Sequence, residues 1–337
     1  MKILVTGTAG FIGMHTAIAL INKGHEVIGL DNINDYYDVN LKYARLAETG
    51  ILKDEIAWGR LIKSHKYPNY IFIRQNIEDK GFMMELFKME KFDYVIHLAA
   101  QAGVRYSMEA PDIYIQSNVN GFHNVLEACR HYPVEQLIYA SSSSVYGNNK
   151  KVPFSEDDNV DHPVSLYACT KKCNELMAAT YSHLYKIPCI GLRFFTVYGP
   201  WARPDMALFL FTDAIMNDRP IKVFNNGELS RDFTYIDDIV NGIVTIVDKG
   251  RLNKEKLYDI YNIGNGKPEK LLDFIHQIEA ALGKEAKKEF LPMQDGDVDM
   301  TWADISKLKT DFDFQANTII SNGIFNFVDW YKNKTTF

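Results

Sequence analysis

Residues 2–31 read KILVTGTAGFIGMHTAIALINKGHEVIGLD, and the order of elements in that stretch decides the fold. KILVTG (2–7) is a short apolar run of the kind that forms a buried strand. The pattern over 11–23 has helical periodicity, and HEVIGLD (25–31) is a second buried strand. Gly7, Gly10 and Gly13 punctuate the turn from strand to helix. In such a GxxGxxG turn the first glycine permits the tight bend, the second lets backbone approach a pyrophosphate, and the third lets helix and strand pack closely. The helix start at Phe11, Ile12 and Gly13 then offers unpaired N–H groups and a positive dipole end to phosphate. Asp31 ends the second strand, followed by Asn32. A carboxylate there accepts hydrogen bonds from the adenosine ribose and repels a 2′-phosphate, so the predicted cofactor is NAD and not NADP.

Working outward, the alternation continues. YIFIRQNI (70–77), YVIHLAA (94–100), QLIYASSS (136–143) and PCIGLRFFTV (188–197) read as further strands, with helical patterns at 112–131 and 165–185. Alternation of this kind implies an α/β fold, a Rossmann-type doubly wound parallel sheet. Ile77 is placed near the adenine and Asn76 within reach of the base. Ala99, Ala100 and Gln101 leave room for the phosphate and ribose of a dinucleotide. After Pro200 the pattern loosens. A helix over 206–217, a short strand IKVF, the segment SRDFTYIDDIVNGIVTIV and a returning strand at YNIGNG (261–266) follow, then helices near 270–282 and 318–332. The predicted units are a dinucleotide-binding domain over 1–197, with a return at about 235–264, and a smaller interwoven domain over 198–234 and 265–337.

The bulk chemistry narrows the function classes. A 337-residue chain with a net charge of −6 offers no basic surface for nucleic acid. Nowhere are there eighteen unbroken apolar residues, so no membrane insertion is expected. The first apolar run mimics a signal peptide, but Thr6, Gly7, Thr8 and Gly10 interrupt it and no cleavage site follows, so a cytoplasmic location is expected. Cys169 and Cys173 lie one helical turn apart, yet nothing nearby completes a tetrahedral set, and no metal is expected.

The chemistry is carried by SLYACTKK, which supplies Tyr167 and Lys171 at the YxxxK spacing that shares one helical face. A tyrosine, with an ordinary pKa of about 10, becomes a usable base when an ammonium and an oxidised nicotinamide favour its phenolate. The pair then exchanges a proton with a sugar hydroxyl while hydride moves to the cofactor.

With TGTAGFIG, LDNINDYYDVNLKYARL, HLAAQAGVRYS, SSSSVYG, YACTK, RFFTVYGPWARPDMA and RDFTYIDDI in place, the chain resembles the extended short-chain dehydrogenase/reductase family over nearly its whole length. Within it the chain is most similar to the NAD-dependent nucleotide-sugar epimerases, and among those to the UDP-glucuronate 4-epimerases. The resemblance implies a UDP-sugar substrate, 4-epimerisation through a transient 4-keto sugar, and product destined for surface polysaccharide. It makes the smaller domain the nucleotide-sugar-binding unit. It also implies Ser142 as the third member of the catalytic set, Asn118 as a helix-shaping residue behind the cofactor, and Arg231 as a clamp on the diphosphate. Gln294 and Asp297 fall at the uridine ribose, although QDGDV departs from the family pattern at Asp295. For the sugar itself, Ser143 and Thr196 are expected as neutral partners. Arg203 is expected as the cation for a C6 carboxylate, with a tie to Asp205 as the plain alternative.

Rival readings use the same scaffold. A 4,6-dehydratase carries an Asp-Glu pair where Ser143 and Ser144 stand, and a UDP-glucuronate decarboxylase carries a glutamate at Ser144. Four serines therefore favour reversible oxidation without elimination. A UDP-glucose-type epimerase and a silent NAD-binding regulator complete the alternatives. A homodimer is expected, with the helices at 112–131 and 165–185 as an intersubunit bundle. Met177, Tyr181, Leu184, Leu126, Phe122 and Val125 serve either that interface or the core.

Overall fold

The computed structural model describes residues 1–251, 255–294 and 298–333. In chain order the elements are β1 (Lys2–Thr6), α1 (Phe11–Asn22), β2 (Glu26–Asp31), α2 (Val39–Glu48), β3 (Leu61–Lys63), β4 (Tyr70–Arg74) and α3 (Lys80–Glu90). Next come β5 (Tyr94–His97), α4 (Tyr106–Glu109), α5 (Pro111–Tyr114), α6 (Phe122–His131), β6 (Gln136–Ser142), α7 (Leu166–Tyr185), β7 (Cys189–Phe194) and β8 (Thr196–Tyr198). The chain continues through α8 (Ala207–Met216), β9 (Ile221–Val223), β10 (Ser230–Tyr235), α9 (Ile236–Lys249), β11 (Tyr258–Ile263) and β12 (Pro268–Lys270). It closes with α10 (Leu271–Leu282), β13 (Lys288–Phe290), α11 (Ser306–Phe312) and α12 (Ile320–Asn333).

The main sheet runs β11-β7-β6-β5-β1-β2-β4-β3, parallel throughout except for the short edge strand β3. This is the doubly wound arrangement expected from the alternation. Strand order reverses where β1 lies between β5 and β2, and the crevice at such a reversal is where an open α/β sheet binds its ligand. The strands are apolar along their length because helices cover both faces. Residues of α1 and α9 pack in the core on one face; those of α3, α6 and α7 pack on the other.

Two departures from the periodicity shape the site. The single helix expected over 112–131 is broken by a π-helical stretch, Ile115–Gly121. The cause is polar. Asn118 turns its side chain to the backbone of Gln101, accepting from its N–H at 2.7 Å and donating to its carbonyl at 3.0 Å. Asn174 meanwhile donates to the Asn118 carbonyl at 2.6 Å. Secondly, the strand expected over 188–197 leaves the main sheet at Phe195. Its last part, β8, pairs instead with β10, which pairs in turn with β12, forming a separate three-stranded sheet. Phe195 makes the corner because its ring is buried in a separate cluster with Val145, Tyr146 and Phe154.

Of the residues expected to serve either interface or core, Phe122, Val125 and Leu126 are fully buried, and Met177 and Tyr181 pack against the same core. Leu184 alone of that set is exposed.

Candidate active site

The C-terminal ends of β1, β2, β5 and β6 open into one cleft. Its wall includes Gly7, Gly10, Phe11, Ile12, Gly13, Asp31, Asn32, Ile77, Ala99, Ala100 and Gln101 at one end, and Ser142, Tyr167, Lys171 and Arg203 at the other. At the first end the glycines fit their assigned turn. Gly7 has φ +82°, a left-handed conformation, and a Cβ on Gly13 would lie 2.0 Å from the Gly7 carbonyl oxygen. Gly10 caps α1 without a side chain, which leaves the first-turn N–H groups facing the cleft for an anionic ligand. Asp31 accepts from the N–H of Ala9 at 3.0 Å and of Ile33 at 2.8 Å. Each carboxylate oxygen keeps a lone pair for a ribose hydroxyl. These residues fit a dinucleotide.

At the other end, Ser165 caps α7 by accepting from the Ala168 N–H, which starts the helix so that Tyr167 and Lys171 face β6. The Lys171 ammonium donates to the Ala140 carbonyl at 2.8 Å and lies 5.9 Å from the Tyr167 ring centroid. Burial lowers the Lys171 pKa to about 8. Burial also raises the Tyr167 pKa, while the positive charge of Arg203 and the neighbouring Ser142 hydroxyl work the other way. The cation that opposes the rise is thus Arg203, whereas the YxxxK spacing suggests the ammonium.

The four serines part company. Ser141 donates to Glu175 at 2.7 Å. That carboxylate is itself gripped by Arg193 at 2.9 and 3.0 Å in an ion pair almost fully shielded from solvent. Ser142 borders the cleft, and its hydroxyl lies 2.5 Å from that of Ser144. Behind them, Thr6 accepts from the N–H groups of Leu98 and Ala99, so its single hydroxyl proton goes to His97 Nδ1 at 2.9 Å. His97 is therefore the neutral Nε2–H tautomer.

Several expected site residues stand elsewhere. Ser143, Thr196, Arg231 and Gln294 are off the cleft wall, as are Asn76 and Asn118. At the start of β8, Phe195 and Val197 border the cleft and Thr196, between them, does not. β4 ends at Arg74, so Ile77 lies beyond the strand, and Gln75 borders the cleft in place of Asn76. Asn76 accepts instead from the Asn32 amide at 3.1 Å. Asn118 supports the Gln101 backbone from behind. Arg231 donates to the carbonyls of Ser230 and Asp299. Gln294 has a buried side-chain oxygen with no protein partner. Asp297 lies outside the described residues. Arg203 pairs with Asp205 through Nε at 3.0 Å and through its terminal nitrogen, yet it remains on the cleft wall. The tie to Asp205 is therefore formed, and it leaves Arg203 bordering the cleft.

The segment after β2 holds residues that sequence reasoning missed. Asn34, Tyr36, Tyr37 and Lys42 line the cleft. Lys42 donates to the Asn34 carbonyl at 2.7 Å, and Asn34 donates to Gln101 at 3.1 Å. Tyr36 donates to Asp205 at 3.1 Å, and its ring packs at a tilt against that of Tyr106, 4.8 Å between centroids. The available signal was a dense run of Asn, Asp and Tyr after a strand that ends in a cofactor-binding position. Among the described residues no cluster of His, Cys, Asp and Glu is placed to hold a metal ion.

The chain is similar to known proteins over almost its whole length. The model of the NAD dependent epimerase/dehydratase family matches residues 3–264. Protein CapI of Staphylococcus aureus is 52% identical, with 98% of each chain covered. A Rhizobium meliloti protein described as a probable UDP-glucuronate 4-epimerase is 43% identical over 98% of this chain and 97% of its own. The crystal structure of UDP-glucuronic acid 4-epimerase from Bacillus cereus, in complex with UDP-glucuronic acid and NAD, superposes with a TM-score of 0.88 at 35% identity. That match covers 98% of this chain and 99% of that one.

Proposed function

The chain belongs to the NAD-dependent epimerase/dehydratase family, and on that footing we propose that it interconverts UDP-glucuronate and UDP-galacturonate by 4-epimerisation. One observation carries the choice of sugar. Arg203 places a guanidinium on the wall of the same cleft as Tyr167, close enough to act on its phenol. A buried C6 carboxylate needs such a partner.

Gly7, Gly10, Gly13 and the first turn of α1 hold the dinucleotide's phosphates, and Asp31 its adenosine ribose. Held by these residues, NAD⁺ would supply a hydride acceptor for C4 of the sugar and, once reduced, a hydride donor to either face of the ketone. Tyr167 accepts the proton of the 4-hydroxyl and gives it back to the re-formed alkoxide. Lys171, fixed by the Ala140 carbonyl, holds positive charge beside the phenol. Ser142 positions the hydroxyl being oxidised. Ser143 and Ser144 stand where a dehydratase or decarboxylase carries carboxylates, and they supply neither acid nor base for loss of the 6-substituent. The UDP moiety falls to Arg231 and to Gln294, whose unpartnered buried oxygen suits a ribose hydroxyl.

With this reading go a nucleotide-sugar domain over 198–234 and 265–337 beside an NAD-binding domain, a homodimer, a cytoplasmic location and a product for surface polysaccharide. No helix among the described residues is long and apolar enough to cross a membrane. The test is one chromatogram of the purified protein with UDP-glucuronate. UDP-galacturonate at equilibrium with substrate is the expected product. A UDP-pentose would make it a decarboxylase, and unchanged substrate would make it a silent binder.

A further inference from the structure

Arg45, on α2, is a fully buried guanidinium whose partners include no carboxylate. All five of its N–H groups are used. Two, from Nε and a terminal nitrogen, go to the Trp201 carbonyl at 3.1 and 2.7 Å, and one goes to the Ala202 carbonyl at 3.3 Å. The other terminal nitrogen donates to the Ala9 carbonyl at 3.1 Å and to the Tyr37 hydroxyl at 2.5 Å. Ala9 belongs to the glycine loop, and its N–H is already held by Asp31. On α1, His15 Nε2 contacts the Pro200 carbonyl at 3.1 Å, which requires the proton on Nε2. Three successive carbonyls, of Pro200, Trp201 and Ala202, are thus tied to the cofactor half of the molecule. The next residue is Arg203.

The loop between these ties is not relaxed. Trp201 has φ +66°, a left-handed conformation that a bulky side chain adopts only when its surroundings impose it. Its ring meanwhile packs 5.2 Å from that of Trp330 on α12, in the second lobe.

We propose that Arg45, assisted by His15, is a positioning residue for uronate recognition: it fixes the loop that carries Arg203 against the glycine loop. The proposal rests on the reading of Arg203 as the partner of the sugar carboxylate. A lysine at position 45 keeps the charge but donates three bonds from a single point, so it cannot span Ala9, Trp201 and Ala202 together.

Arg45→Lys is therefore expected to raise KM for UDP-glucuronate about 10-fold while kcat and the inhibition constant of UDP-glucose stay within about 3-fold. NAD carried by the purified protein should be unchanged. Adding Arg45→Lys to Arg203→Leu should make KM no worse than Arg203→Leu alone, because both act through one contact. An unchanged KM in Arg45→Lys, an equal loss for both sugars, or additive effects in the double variant would overturn the proposal. Should Arg203→Leu alone leave the preference for the uronate intact, the reading of Arg203 itself fails. If Arg203→Leu abolishes the preference and Arg45→Lys preserves it, only the bracing role is wrong. Where Arg45→Lys does not fold, His15→Phe decides: it keeps the ring and removes the donor. A rise of about 3-fold in the same KM supports the brace, and no change overturns it.

Discussion

Asp31 accepts the Ala9 N–H at 3.0 Å, so the carboxylate that ends β2 also fastens the glycine loop. Removing it does two things at once. Asp31→Ala should weaken NAD binding by about 10- to 100-fold, with loss of ribose bonds and of loop support together. NADP should lose less, because repulsion of its 2′-phosphate disappears. Calorimetry with both cofactors checks this; equal losses would leave Asp31 with the loop role alone.

Tyr167→Phe keeps the ring that packs against Tyr114 and deletes only the proton acceptor. A fall in kcat of about 10³-fold, with KM for UDP-glucuronate within a few-fold, is expected for a lost proton transfer. Turnover near that of the unaltered protein would remove Tyr167 from the mechanism.

Arg203→Leu separates a specificity role from a loop role. Loss of a charge-assisted contact, about 2–3 kcal/mol, should lower kcat/KM for UDP-glucuronate by about 10²-fold. Binding of UDP-glucose, measured as inhibition in the same preparation, should hold. A matching decline for both sugars would assign Arg203 to its pairing with Asp205.

Acid stability follows from His97 and His15. Burial lowers the His97 pKa to about 3 and the His15 pKa to about 4, against about 6.5 in the unfolded chain. The unfolded state therefore binds protons that the fold refuses. Their contribution is fully present above pH 6.5 and is lost as pH falls towards those lower values, by about 1.4 kcal/mol per pH unit for each histidine. Denaturant midpoints between pH 7 and 4.5 should fall, and His97→Phe should flatten the slope. An unchanged slope in that variant would mean His97 is accessible to protons in the folded protein.

Assembly is tested on α7. Leu176 and Leu184 are 56% and 57% exposed, on one stripe with Cys173 and Thr180. Ile113 and Ile115 are exposed at the start of the neighbouring helical segment. A sedimenting mass of two chains is expected, falling to one chain in Leu176→Glu/Leu184→Glu. A single-chain mass for the unaltered protein would end the dimer reading.

What the sequence determined by itself was local and periodic. Strand–helix alternation, the glycine spacing from Gly7 to Gly13, the carboxylate at the end of β2 and the Tyr167–Lys171 interval all depend on neighbours within a few turns of chain, and each lies where that logic puts it. The tertiary structure decided what depends on distant segments meeting. Asn118, in the π-helical stretch, finds its side-chain partner in the backbone of Gln101, seventeen residues earlier. The strand leaves one sheet for another at β8, and there Val197, not Thr196, borders the cleft. Arg45 reaches the Trp201 carbonyl across 156 residues of sequence, and no spacing rule ties the two. A buried polar group takes whichever partner the packing brings to it, and only the folded chain says which one arrives.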